Sequence, residues 1–215
     1  MAIEIATLQL ELLSATTFGR GDGVAGLVDR EVEHDEDGFP FLRGRTLKGL
    51  LNEAAEDLVF ALEQQRDMRN WRASKERLFG TPGSGLGGNG VLKVGDAQLP
   101  ENLRTLLRAA VKEKSTKLTA DGIFESLTAI RRQTAMNEYG APEHASLRSM
   151  RIVLRGTLLV AELAFDKKPT EGEWILLAGS ASGLRAAGTG RNRGRGRVRV
   201  TLKNEEWMRD HLARL

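Results

Sequence analysis

The sequence is 215 residues long and contains no cysteine. Disulfide bonds and thiolate zinc sites are therefore excluded, and we expect no structural zinc. Long apolar runs are also absent, since no segment reaches the roughly 20 apolar residues that a membrane-spanning helix needs. Residues 1–5 lack a basic stretch followed by an apolar run, so no secretory signal is expected. These absences favour a cytoplasmic protein that does not contact a membrane.

Aromatic residues are scarce as well, at 5% of the chain. This scarcity argues against a stand-alone RNA-binding module, which would stack bases on aromatic side chains of its sheet. The net charge of +3 is too small to indicate a nucleic-acid partner by itself. The charge is unevenly distributed, however, because one short segment contains a group of arginines: Arg185, Arg191, Arg193, Arg195, Arg197 and Arg199. We therefore expect one strongly positive surface on a nearly neutral molecule.

Hydrophobic residues make up 40% of the chain, which is enough for one domain over residues 1–215. Their periodicity predicts strands at 3–13, 91–96, 152–165 and 198–202, and helices at 47–62, 103–111, 170–184 and from Glu205 onward. Thr46 is the expected N-cap of the first helix. Residues 117–148 lack strong periodicity and are interpreted as an excursion from the core. This order predicts an α+β protein with the ferredoxin-like topology of the RNA-recognition motif, and not a doubly wound sheet.

Glycines and arginines alternate in residues 188–198. The glycines allow the backbone to approach a phosphate closely and to present its amides, and the arginines neutralise phosphate charge. A flexible linker is the alternative interpretation, but the segment lies between a predicted helix and a predicted strand of the same domain. The candidate phosphate-binding residues are Gly190, Arg191, Arg193, Gly194 and Arg195.

A second candidate phosphate site is the segment 44–49. It places Arg45, Thr46 and Lys48 at a predicted helix N-terminus, where free amides and the helix dipole favour an anion. Basic residues are unfavourable there for the helix itself, which favours a ligand slightly. Taken alone, the same residues are equally consistent with an ordinary capped helix that carries solvated charges.

The acidic run from Asp29 to Asp37 is a third candidate. Such runs are usually solvated loops, but a carboxylate in this one could bind a metal ion. The spacing does not choose between Asp29, Asp35 and Asp37.

Four stretches, in this order, resemble the RAMP superfamily, and in particular the repeated backbone subunit of type III CRISPR effector complexes. They are residues 26–32, residues 39–49, residues 77–80 followed by 90–96, and residues 188–198. The resemblance extends over nearly the whole chain. Arg43 and Arg45 stand where the family usually has proline and serine, and Arg131 stands where it often has aspartate.

The resemblance implies that the residues of segment 44–49 and of the loop 188–196 bind the phosphates of a guide RNA. It also implies that the excursion at about 117–149, with Arg131, Arg132 and Thr134, is a thumb that kinks the duplex of guide and target. The expected partners are guide RNA, target RNA, further copies of the chain and other CRISPR effector subunits.

Asp29 matches the aspartate that the family uses for metal-dependent cleavage of target RNA, with Mg²⁺ or another divalent ion as the expected cofactor. Two alternatives stay open within the same superfamily. The chain could be a non-catalytic structural subunit, or an endonuclease that processes the CRISPR precursor transcript. Enzymes of the latter kind often use histidine for acid–base chemistry, and no histidine here lies in a matching motif.

Overall fold

The computed structural model describes residues 4–65, 69–81, 88–113, 117–143 and 146–215. Residues 144–145 of the predicted excursion lie outside the described residues. The strands are β1 (Glu4–Leu12), β2 (Leu92–Val94), β3 (Thr128–Gln133), β4 (Arg148–Val153), β5 (Leu158–Phe165) and β6 (Val198–Leu202). The helices are α1 (Gly44–Gln64), α2 (Trp71–Phe79), α3 (Glu101–Lys112), α4 (Ala120–Leu127), α5 (Glu171–Gly183) and α6 (Glu205–Leu212).

The main sheet is antiparallel, with the strand order β2-β5-β1-β6. Helix α1 follows β1 and helix α5 follows β5, which is the βαββαβ order of the ferredoxin-like fold. Leu8, Leu10 and Leu12 on β1 are fully buried, whereas Thr7 and Gln9, which alternate with them, are exposed. This alternation buries one face of the sheet in the core, as the period of two predicts. The predicted fold class is confirmed.

Helices α1 and α5 supply the other half of the core. Helix α1 buries Leu47, Leu51 and Val59 at helical spacing, and every residue of α5 from Glu173 to Ala181 is buried. A capping box begins α5, because the Thr170 hydroxyl accepts from the Glu173 amide and the Glu173 carboxylate accepts from the Thr170 amide.

The start of α1 differs from the sequence prediction, because Thr46 is not its N-cap. The helix begins at Gly44 and the N-cap residue is Arg43, but the Arg43 side chain makes no capping hydrogen bond. The Gly44 amide instead donates to the Asp96 carboxylate at 2.7 Å, so the cap is supplied by a residue just after β2. A Cβ at Gly44 would lie 2.1 Å from the carbonyl oxygen of Val94, so only glycine fits this junction.

The predicted strand at 152–165 is also wrong, since two strands occupy that stretch. Strand β4 ends at Val153, the chain turns through Gly156 with a φ of +86°, and β5 begins at Leu158. The two strands belong to different sheets, because β4 pairs with β3 whereas β5 pairs with β1. The turn contains only Arg155, Gly156 and Thr157 between Leu154 and Leu158, so the apolar pattern resumes after three residues and the sequence prediction ran through the break.

The excursion contains helix α4 and an antiparallel pair, β3 and β4, with Arg132 opposite Ser149. We call β3, β4 and the described residues between them the thumb hairpin. Its base is joined to the core at Thr16, whose backbone exchanges hydrogen bonds of 3.2 and 2.7 Å with Val153.

Across the described ranges, none of the helices combines the length and the apolar character needed to cross a membrane.

Candidate nucleic-acid interface

The glycine–arginine loop, residues 188–196, folds back on itself between α5 and β6. Hydrogen bonds close it at its base, from the Ala187 amide to the Gly196 carbonyl at 2.8 Å and from the Val198 amide to the Arg185 carbonyl at 2.9 Å. Gly196 has a φ of +66°, and a Cβ there would lie 2.0 Å from the carbonyl oxygen of Ala187. The loop is therefore an ordered part of the domain and not a flexible linker, as its position between a helix and a strand predicted.

A cavity of about 310 Å³, the thumb–loop hollow, separates this loop from the thumb hairpin. Predicted residues from two distant segments line it together: Thr134 from the thumb, and Gly190, Arg193 and Arg195 from the loop. The Arg195 guanidinium donates to the Gln133 side chain across the hollow.

Positive charges outnumber the one carboxylate, that of Glu143, among the described residues that line the thumb–loop hollow. Burial lowers the pKa of the Arg195 guanidinium, and the charges of Arg131 and Arg193 lower it further. Arginine nevertheless keeps its charge at physiological pH. A group of cations that repel one another favours an anion between them, and a phosphate meets that need.

Arg30 and Arg148 also line the thumb–loop hollow, and the sequence reasoning missed both. Arg30 lies in the acidic run and Arg148 at the start of β4, more than a hundred residues away along the chain. Neither belongs to the arginine-rich segment, so the sequence contains no local signal for them.

A second cavity of about 450 Å³, the helix–loop hollow, lies between α1 and the glycine–arginine loop. Thr46 and Arg191 line it together, which brings the two candidate phosphate sites to one place. The Arg191 guanidinium makes two hydrogen bonds to the Glu53 carboxylate of α1, at 2.8 and 2.9 Å. The charge of Arg191 is therefore paired within the chain.

Arg45 and Lys48 do not line either of these hollows. The Arg45 side chain is exposed in the first turn of α1. Lys48 is half-buried against β2, where its Nζ donates to the Leu92 carbonyl oxygen at 2.7 Å, and burial lowers the pKa of its ammonium. The structure thus separates Lys48 from Thr46, although the two are neighbours in the sequence.

Asp29 lies beside the thumb. Its carboxylate accepts from the Ser149 amide at 2.6 Å, and the Ser149 hydroxyl lies 3.4 Å from the same oxygen. Asp29 and Arg132 line an open cavity, which we call the aspartate hollow. Arg30 and Arg148 line an adjoining cavity, which Asp29 also lines. The exposed carboxylate of Asp29 is therefore close to the cationic surface.

The other two candidate aspartates have structural contacts elsewhere. The Asp35 carboxylate accepts from the amides of Asp37 and Phe39, at 3.1 and 2.9 Å, and stabilises a turn. Asp37 pairs with Arg108 of α3 at 2.6 Å. The tertiary structure thus favours Asp29 among the three residues that the spacing did not separate.

Asp29 fits a divalent ion only in part. The described residues contain no group of three or more acidic or histidine side chains placed to hold a metal. Mg²⁺ is commonly bound by one or two carboxylates together with substrate phosphates and water. Asp29 alone is consistent with an ion shared between the protein and a bound phosphate, and does not form a complete protein site.

The exposed face of the main sheet offers no stacking platform. Ile5, Thr7 and Gln9 of β1 lie on it, beside Leu158 and Glu162 of β5, and the described strands place no aromatic side chain there. Base stacking on this face, the usual mode of an RNA-recognition motif, is therefore not supported.

The fold and the site define a ferredoxin-like protein with a thumb hairpin and an arginine-lined surface at the thumb base. A sequence profile of the RAMP superfamily matches residues 9–199, and the chain belongs to that superfamily. The membership inferred from the four motifs is confirmed.

Solved structures with the same fold include a chain in the cryo-EM structure of the Type III-B Cmr-beta bound to cognate target RNA. The superposition covers 98% of this chain and 99% of the Cmr-beta chain, with a TM-score of 0.66 and 12% sequence identity. A chain in the apo state of Type III-B Cmr-beta has a TM-score of 0.65 and 11% identity, over 94% of this chain and 98% of its own. At such identities the likeness establishes the fold. No curated protein matches the sequence.

Proposed function

We propose that the chain is a guide-RNA-binding backbone subunit of a type III CRISPR effector ribonucleoprotein. The observation that carries this proposal is the thumb–loop hollow, where Arg30, Arg148, Arg193 and Arg195 converge from three separate segments. Membership of the RAMP superfamily supports it, as does the fold shared with a Type III-B chain solved with target RNA.

The chemistry of the two hollows suits a guide whose sequence varies. Guanidinium groups and loop amides bind phosphates, and phosphate contacts carry no sequence information. The absence of aromatic residues from the described sheet face agrees with this mode, because base stacking is not needed to hold a backbone. Thr46 and Arg191 would extend the phosphate track from the thumb–loop hollow to the start of α1.

Cleavage of target RNA at Asp29 is the second part of the proposal. The thumb would expose one nucleotide, and its 2′-oxygen would attack the adjacent phosphorus while the bond to the 5′-oxygen breaks. One proton leaves the 2′-hydroxyl and another reaches the departing 5′-oxygen, so the products are a cyclic phosphate and a 5′-hydroxyl. Arg132 and Arg148 would stabilise the negative charge on the phosphate. A divalent ion shared between Asp29 and the phosphate would supply further positive charge there.

The alternative is a non-catalytic subunit of the same complex. It is favoured by the fact that Asp29 is a single carboxylate among arginines. Processing of the precursor transcript gains no support from the described histidines. The His34 ring packs against Phe124, and the His211 ring stacks on Trp207. Neither residue lines the hollows described above.

The test of the backbone role is to purify the tagged chain from cells that express a CRISPR array. The bound RNA is sequenced, and the complex is weighed by native mass spectrometry. We expect small RNAs of the repeat–spacer type, with several copies of the chain on each guide and more copies on longer guides. A single copy regardless of guide length, or no bound RNA, would contradict the proposal.

A further inference from the structure

Residues 29–31 lie alongside thumb strand β4 and are joined to it by a single parallel bridge at Arg30. The Asp29 amide donates to the Ser149 carbonyl oxygen at 2.9 Å, and the Arg151 amide donates to the Arg30 carbonyl oxygen at 2.9 Å. Arg30 and Met150 form the bridge between these two bonds. Because side chains alternate along a strand, a shift of one residue would turn the Asp29 carboxylate to the opposite side. The register of this short pairing therefore decides where Asp29 points.

A buried ion pair lies two residues further along the same pairing. Glu31 is 2% exposed and Arg151 is 8% exposed, and the Arg151 Nε lies 2.9 and 3.1 Å from the two carboxylate oxygens of Glu31. The Arg151 guanidinium also contacts the Thr128 hydroxyl of β3 at 3.4 Å and lies 4.7 Å from the ring centre of Phe124 in α4. A shift in register would leave both charges buried without a partner, which is strongly unfavourable.

We propose that Glu31 and Arg151 are positioning residues, which set the register of residues 29–31 on β4 and thereby direct Asp29 toward bound RNA. This inference rests on the proposed cleavage at Asp29. The contacts Asp29–Ser149 and Glu31–Arg151 are separated by two residues on both segments, so both lie on the same side of the pairing. The exposed contact is open to water, whereas the buried contact holds the register.

The first test is the kinetics of target cleavage by reconstituted complex. Glu31→Leu combined with Arg151→Met removes both charges at similar volume, a change that buried ion pairs often tolerate without loss of stability. We expect unchanged guide binding and an unchanged KM. The kcat should fall by about 100-fold, the effect of a misplacement of roughly 1 Å.

The single variant Glu31→Gln keeps one oxygen that can accept from both the Arg151 Nε and the Val32 amide, so it should retain most of the kcat. This variant also tests the proposal if the double variant does not fold. A kcat for Glu31→Gln as low as that of a variant without Asp29 would refute a role of Glu31 through register alone. A double variant with the wild-type kcat would remove the positioning role.

The second test does not depend on cleavage. Since the chain contains no cysteine, Asp29→Cys combined with Ser149→Cys introduces a single pair of thiols across the pairing, at two residues whose backbones are joined by a 2.9 Å hydrogen bond. Oxidation should link them in the otherwise unchanged chain, and the link should be lost when Glu31→Leu and Arg151→Met are added. A disulfide that forms equally well in both backgrounds would overturn the register role. If the disulfide depends on the ion pair while wild-type complex never cuts RNA, the proposed cleavage fails and the register role stands.

Discussion

The Arg191 guanidinium and the Glu53 carboxylate form a bidentate ion pair, with N–O distances of 2.8 and 2.9 Å, that joins the glycine–arginine loop to helix α1. Both side chains are partly exposed, so a phosphate can approach the same guanidinium. If RNA binds at Arg191 as proposed, its phosphate would compete with the Glu53 carboxylate for the same guanidinium.

Glu53→Gln should strengthen RNA binding, because it frees the Arg191 guanidinium for phosphate. The plot of log affinity against log salt should steepen by about 0.7 for each additional phosphate of single-stranded RNA that the protein neutralises. Fluorescence anisotropy at several salt concentrations measures both quantities. Glu56→Gln is the matched control, since it removes the same charge from α1 at a residue that pairs with Arg72 and Lys75. Equal effects of the two variants would show that only net charge matters.

Replacing Arg191, Arg193 and Arg195 together with alanine should weaken RNA binding. The slope of log affinity against log salt should become shallower by about 2 if each arginine contacts one phosphate of single-stranded RNA. A control triple variant at the exposed Arg155, Arg199 and Arg209 removes the same charge away from the hollows. An unchanged slope in the loop variant would place the loop outside the RNA interface.

Lys48 should contribute to stability in a pH-dependent way and little to RNA binding. Burial depresses its folded pKa below the reference value of 10.5, so between these two values the unfolded chain binds more protons than the folded chain. The free energy of unfolding of the wild type, relative to Lys48→Met, should therefore rise with pH in that window. Urea titrations at a series of pH values measure it, with Lys93→Met on the surface of β2 as the control. A large loss of RNA affinity in Lys48→Met would instead put Lys48 in the interface.

Asp29→Asn should abolish cleavage of target RNA and leave guide binding and assembly intact. The carboxylate is exposed, and the asparagine oxygen can still accept from the Ser149 amide. The assay uses reconstituted complex, labelled target RNA and a chelator, and it identifies the ends of the products. Asp210→Asn, an exposed aspartate on α6, is the control. Cleavage at the wild-type rate by the Asp29→Asn complex would show that another group is responsible, and wild-type complex that never cuts with metal present would favour the non-catalytic subunit.

Hydrophobic periodicity predicted the fold class because the elements of the core carry their own local signals. Leu8 and Leu10 alternate with polar residues along β1, and Leu47, Leu51 and Val59 recur along α1 at helical spacing. Local signals failed where a long-range contact decided the outcome. The short turn at Gly156 is flanked by apolar residues on both sides, and the cap of α1 comes from Asp96, about fifty residues away.

The sequence by itself determined the fold class, the superfamily and the place of the glycine–arginine loop between a helix and a strand, because each of these follows from local hydrophobic patterns or from short motifs in a fixed order. Only the tertiary structure decided which residues line the candidate interface together. The pairing of residues 29–31 with β4 brings Arg30 to Arg148 and Asp29 to Ser149, and the burial of Lys48 removes it from Thr46. Such pairings depend on backbone hydrogen bonds and buried charges between distant segments, and a local pattern shows which side of an element is apolar but not which segment will lie against it.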